Sequence, residues 1–244
     1  MQDIEFYFID QLNLPFVSKM TKEVRLKQYI FKSYLESKFN KKCHCLNGND
    51  YFEKAFEMWF TMITDGKSDR VTAMICTDEY DVNNNHVSGE AKNPLVELAK
   101  SVVGKSEHTL PTIALAFLEK LPINASKEET DSYLRLIEET RERFDKLLGK
   151  NGLLIFPSFP STAPFHNQAL FTNPLDWAVY FGIINTIGLP STNVPLGLNF
   201  SDGLPVGIQL IANRFCDKLP IKLAQYLESQ NDLVNWIQPG LPSS

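Results

Sequence analysis

Apolar positions along this chain recur with two different periods, and the switches between them mark out its elements. "IEFYFI" at 4–9 is aromatic and β-branched and predicts a buried strand. From Ser18 to about Phe39, Val24, Phe31 and Leu35 fall on one face, which predicts a long helix. "KCHCL" predicts a short strand. Asp50, with Glu53 three residues on, then predicts a capped second helix that carries Phe52, Ala55, Phe56, Trp59, Phe60 and Ile63 and closes at Gly66. Strand, helix, strand, helix is the order of a sheet with crossover helices. The polar stretch 65–93, with "DVNNNHVSGE" inside it, reads as a surface loop.

Two shorter helices are predicted at about 94–103 and 109–120. Ser126 and Glu129 form a capping box that opens a charged helix ending at Gly149, with Tyr133, Ile137, Phe144 and Leu148 as its apolar stripe. "NGLLIFPSFPSTAP" is a strand running into a proline-broken loop. "NPLDWAVYFGIINTIG" follows, with Asn173 as cap, Pro174 at the first helical position and Gly188 at the end. That helix is apolar nearly all round, so burial on every side is expected. "NVPLGLNF" and "GLPVGIQLIA" flank Asp202-Gly203, a strong hairpin signal. Pro205 fits only a strand start or an edge, and Gly207 marks a close approach by another backbone or by a ligand. A last helix, about 217–229, turns Leu219, Leu223 and Leu227 inward.

Composition narrows the partners. A net charge of −5 argues against nucleic acid as the main partner, because phosphate binding wants a basic face. No stretch reaches the roughly 18 apolar residues of a membrane span. "MQDIEFYFID" lacks the basic and apolar regions of a signal peptide, so an intracellular location, cytoplasmic or membrane-associated, is expected over secretion. Cys43, Cys45, Cys76 and Cys216 are too few and irregular for a disulfide framework. "CHC" at 43–45 lacks a second ligand pair at zinc spacing, so no metal is assigned.

The chain carries no G-x-S-x-G elbow, no phosphate-binding loop and no G-x-G-x-x-G fingerprint. His44, His86 and His108 stand apart from any partner in sequence; His166, in "STAPFHN", is the one candidate among the four. The residues provide for shape, and no bond-breaking constellation is legible among them.

"GLLIFPSFPSTAPFHN", "IINTIGLPSTNVPLGLNFSDGLPVGIQLIA" and "DKLPIKLAQYLES" resemble the C-terminal part of the amidase-signature family, and within it the fatty-acid amide hydrolase branch. The pattern runs through Pro157, Pro160, Ala163-Pro164, Asn185, Gly188-Leu189-Pro190, Pro195-Leu196-Gly197, Gly203-Leu204-Pro205, Gly207 and Gln209. The resemblance implies an α/β fold: residues 1–244 as the C-terminal portion of one amidase domain, a mixed β-sheet covered by helices, best matched at 152–228. It implies a hydrolase that cleaves long-chain amides with a serine nucleophile, a bridging cis-serine and a lysine, and needs no cofactor. Tyr180, Phe181, Ile184 and Asn185 resemble the segment lining the acyl channel and are the expected substrate contacts. A fatty-acid amide or other lipid is the implied small-molecule partner; membrane association and homodimerisation of the complete enzyme are left open.

One departure matters. No Gly-Gly-Ser-Ser-Gly-like run occurs in the 244 residues, so no catalytic residue carries over. The expectation is therefore a fragment, truncated gene model or shortened isoform that is inactive alone. The alternative is a non-enzymatic lipid-binding or regulatory protein built on the same fold.

Overall fold

A computed structural model describes residues 3–64, 79–81, 86–88, 93–110, 112–113, 116–117, 126–165 and 173–230. The chain divides into two compact units, one of residues 1–56, 136–163 and 173–244, the other of 57–135 and 164–172.

The first unit is built on a five-stranded mixed sheet. Its strands are β1 (Glu5–Ile9), β2 (His44–Leu46), β5 (Gly152–Pro157), β6 (Ser191–Leu198) and β7 (Pro205–Ala212), in the order β2-β1-β5-β7-β6. β1 is parallel to both β2 and β5, whereas β7 is antiparallel to both β5 and β6. This is the expected α/β fold with a mixed, helix-covered sheet.

Alternation along the strands sends Phe6, Phe8, Leu153, Ile155, Ile208 and Leu210 to one face. There they join Phe31 and Leu35 of helix α1 (Lys22–Phe39) and Leu223 and Leu227 of helix α8 (Lys218–Ser229) in a single core. Each of these side chains, buried to 2% exposure or less, contributes roughly 1.5–3 kcal/mol. Helix α1 starts later than the sequence suggested. Thr21 is its N-cap and accepts from Val24 N at 3.4 Å, while Ser18 lies outside it. Arg25 on α1 grips Asp10, just past β1, through two hydrogen bonds, the longer 2.7 Å.

Other expectations need correction. The Asp50–Glu53 capping box does not form: helix α2 (Asn49–Phe52) has Gly48 as N-cap with no side-chain bond, and Asp50 accepts from Asn47 Nδ2 at 2.9 Å instead. A break at Glu53–Lys54 separates α2 from α3 (Ala55–Thr64), so the run is two helices. The stretch read as loop contains an antiparallel pair, β3 (Glu79–Asp81) and β4 (His86–Ser88), which puts His86 at a strand start. Helix α4 (Pro94–Val102) ends close to the expected position. The predicted end at Gly66, and much of 109–120, lie outside the described residues. Helix α5 (Lys127–Leu148) opens as read, with Ser126 N donating to Glu129 Oε2 at 2.8 Å and Glu129 N to Ser126 Oγ at 3.2 Å.

The β6–β7 hairpin forms where Asp202-Gly203 predicts it. Asn199 and Leu204 close the turn, and Gly203 has φ +68°, a left-handed position that a side chain would strain. Pro205 is the first residue of β7, where no ladder donor is lost, and Pro195 lies on edge strand β6. Where another backbone or a ligand was expected, the close approach to Gly207 comes from a side chain: a Cβ there would lie 2.7 Å from Asn193 Oδ1 and 2.9 Å from its Nδ2.

Two outcomes follow from these contacts. Gly207→Ala forces the Asn193 carboxamide aside and destabilises the chain by about 1 kcal/mol, the low end of overpacking costs because a side-chain tip can move. In an Asn193→Ala background the same change costs much less. A urea double-mutant cycle reads the difference, and additive effects refute the contact. The second concerns pH. The Arg25 hydrogen bonds hold the Asp10 carboxyl below its ordinary range, so the folded chain binds fewer protons there than the unfolded chain. That stabilisation is present at neutral pH and is lost as pH falls from the ordinary carboxylate range through the lowered value. Both groups are partly exposed, so the effect is about 1 kcal/mol or less. Asp10→Asn flattens the melting-temperature profile between about pH 5 and pH 3; an unchanged slope counts against it.

Candidate functional site

The helical run after the proline loop is not a uniform α-helix. It consists of α6 (Pro174–Trp177), a π-helical turn (Ala178–Gly182) and α7 (Ile183–Ile187). Asn173 caps it, accepting from Leu175 N at 3.1 Å; Asp176, in the first turn, accepts from Ser18 N at 2.7 Å. Inside the π turn Ile183 N–H bonds to Ala178 O, five residues back.

Burial on every side does not hold for this run. Trp177 and Phe181 are each 37% exposed and Asn185 is exposed, whereas Ala178, Val179, Tyr180, Ile183, Ile184 and Ile187 are buried. The exposed residues recur every fourth position. A turn wider than 3.6 residues brings such positions closer to alignment than an unbroken α-helix would. The result is a stripe in which Phe181 is tilted against Trp177, with ring centroids 5.7 Å apart, and against Phe159 at 6.5 Å.

The four expected contact residues thus divide in two. Phe181 and Asn185 reach the surface. Ile184 is 2% exposed, and Tyr180 is fully buried, stacked on Phe156 with centroids 5.7 Å apart. The Tyr180 hydroxyl donates to Ser18 O at 3.1 Å. Burial, and secondarily the Asp176 charge, push the phenol's pKa up, so it stays protonated as a donor. His166 lies outside the described residues.

Below this helix the sheet carries a polar group that the sequence reading did not single out as a site. Gln209 occupies the middle of β7 at 7% exposure. Its Nε2 donates to Tyr180 O at 2.7 Å and to Pro157 O at 3.1 Å, and its Oε1 accepts from Ser191 Oγ at 3.0 Å. Beside it Ser158 Oγ donates to Asn193 Oδ1. A glutamine inside "VGIQLIA" was the available signal, since a buried carboxamide must find partners. The proline loop is tied down at several points. Thr21 N donates to Pro160 O at 2.8 Å, and Thr162 Oγ1 donates to Asp202 Oδ2 at 2.6 Å, which with Leu204 N holds the Asp202 carboxyl low.

Among the described residues no group of three or more His, Cys, Asp or Glu side chains is placed to hold a metal ion. Burial pushes the Cys43 thiol up to about 12, which leaves it protonated and a poor ligand or nucleophile at neutral pH. No helix among these residues is long and apolar enough to cross a membrane. The arrangement offers an aromatic surface with a rigid polar footing.

The amidase family model matches residues 69–219. Human fatty-acid amide hydrolase 2 is 32% identical over 241 residues, covering 98% of this chain and 43% of that protein. Fatty-acid amide hydrolase 2-B of Danio rerio is 33% identical over 191 residues, 77% of this chain and 33% of its own length. Among solved structures, a glutamyl-tRNA(Gln) amidotransferase polypeptide from Thermotoga maritima superposes with a TM-score of 0.56 at 16% identity, covering 93% of this chain and 42% of that one. Kluyveromyces lactis allophanate hydrolase does so with a TM-score of 0.56 at 17% identity, covering 94% and 32%. These overlays speak to the fold. The chain spans less than half the length of the curated relatives it matches. By family model, by identity to curated relatives and by its mixed α/β sheet, the chain belongs to the amidase family.

Proposed function

We propose that this chain is the C-terminal portion of a fatty-acid amide hydrolase-like serine hydrolase, that it supplies the surface on which the acyl chain lies, and that it is inert alone. The observation that carries this reading is the outward stripe of Trp177 and Phe181 beside Phe159. Half-exposed rings in mutual contact suit a flexible alkyl chain, because the aromatic surface is already ordered before the ligand arrives. The likeness to two fatty-acid amide hydrolases supports a long-chain amide as substrate.

In this reading Phe181 and Asn185 meet the ligand, Phe181 through apolar contact and Asn185 through its carboxamide. Tyr180 and Ile184 belong to the same site as anchors beneath it. The scissile bond needs a serine nucleophile, its cis-serine and a lysine, and those come from sequence other than these 244 residues.

Incubated with oleamide and with a fluorophosphonate probe, the purified chain shows neither turnover nor covalent serine labelling. Loss of a triad member already removes several orders of magnitude of rate. Turnover together with labelling overturns the inert reading. Binding of a fluorescent long-chain amide checks the surface. Phe181→Ala weakens it by roughly tenfold, equivalent to about 1.4 kcal/mol and just below the roughly 1.5–3 kcal/mol of a fully buried apolar side chain, as suits a ring covered on one side only, while a short-chain amide is held as before. If the variant instead loses the stability of a core deletion, about 3–5 kcal/mol, and treats both ligands alike, Phe181 is core and the assignment is wrong.

A further inference from the structure

The carboxamide of Gln209 is the most costly side chain to place in its strand. Its neighbours in β7, Ile208, Leu210, Ile211 and Ala212, are buried and apolar, and at 7% exposure an unpaired amide there would be destabilising. All three bonds it makes leave its own strand: to the end of β5 at Pro157, to edge strand β6 at Ser191, and to the π turn at Tyr180. The bond to the π turn is the shortest, at 2.7 Å.

The π turn is where such a bond has most effect. An α-helix closes every interior carbonyl with a donor four residues on, and a five-residue closure departs from that favoured pattern unless something outside the helix supports it. Tyr180 lies within the turn. Gln209 Nε2 holds its carbonyl from the sheet side, and Ser18 O accepts its hydroxyl. With both ends of Tyr180 fixed inward, the next residue, Phe181, is directed out against Trp177 and Phe159.

We propose that Gln209 is a positioning residue that locks the π-helical turn and thereby sets Phe181 in the outward stripe. Its consequence for ligand binding rests on the acyl-surface reading above; its effect on the backbone does not. Gln209→Met keeps the length and an unbranched apolar stem but removes the donors. In the 244-residue chain, amide hydrogen exchange over residues 178–184 then rises by about tenfold or more, while β1 and α8 exchange as before. Ser191→Ala removes only the hydroxyl that donates to Gln209 Oε1, at an exposed position, and gives a smaller rise confined to the same segment. It carries the test should Gln209→Met fail to fold. Unchanged exchange at 178–184, or a uniform rise across the sheet, overturns the proposal and makes Gln209 an ordinary satisfied core amide.

A fluorescent long-chain amide separates this from the functional reading. Where exchange rises locally and both Gln209→Met and Phe181→Ala bind the probe more weakly, both stand. Where exchange rises but Phe181→Ala binds as before, the lock stands and the acyl surface falls. Where Phe181→Ala weakens binding and exchange does not move, the acyl surface stands and the lock falls.

Discussion

Strand β5 has a parallel neighbour on one side and an antiparallel neighbour on the other, and all six of its residues are buried. That constraint organises the first unit. A strand enclosed on both faces cannot alternate polar with apolar, so "GLLIFP" is a continuous apolar run. Leu153 and Ile155 enter the core shared with α1 and α8, while Phe156 on the opposite face stacks against Phe52 and Tyr180. The same strand ends in Pro157, whose carbonyl, with no further β5 residue to follow, accepts from Gln209. The helix with the π turn is therefore positioned from the centre of the sheet.

Where a local rule and the tertiary environment agree, the sequence was easy to read. Ser126 with Glu129 and Asn173 with Pro174 are start signals made by residues within one turn, and both form. Asp202-Gly203 turns the hairpin for the same reason: its hydrogen bonds are local. The Asp50–Glu53 pair had the right spacing and failed, because the chain breaks after Phe52 and leaves Glu53 as a C-cap. Spacing of a capping box says nothing about whether the helix continues.

The candidate site was half legible. Composition located the segment 173–188 but gave the wrong account of its burial, since Trp177 and Phe181 are as apolar as the residues beneath them and no hydropathy pattern separates an exposed ring from a buried one. The π turn has no signature in the residues Ala178–Gly182 themselves. Its support lies 29 residues away in Gln209, a long-range contact that periodicity cannot express. The buried carboxamide was the visible sign, and its meaning depended on knowing which carbonyls lay within reach.

These features give the helix two unlike sides. Toward the sheet, polar atoms are consumed: the Tyr180 hydroxyl and carbonyl, the Gln209 amide and the Thr186 hydroxyl, which donates to Gly182 O at 3.0 Å, all have partners. Arg141 reaches from α5 to Thr186 O at 2.8 Å and secures the far end. Outward, the helix presents rings. A surface used to hold a flexible apolar ligand gains most when its own side chains have little freedom left to lose on binding. Fixing Tyr180 at both ends and packing Phe181 between Phe159 and Trp177 moves that ordering cost into folding, where the sheet's buried apolar surface offsets it. In the amidase reading proposed above, this portion of the fold contributes a prearranged apolar floor, and the reacting serine and lysine can be brought to it by other sequence without this helix having to move.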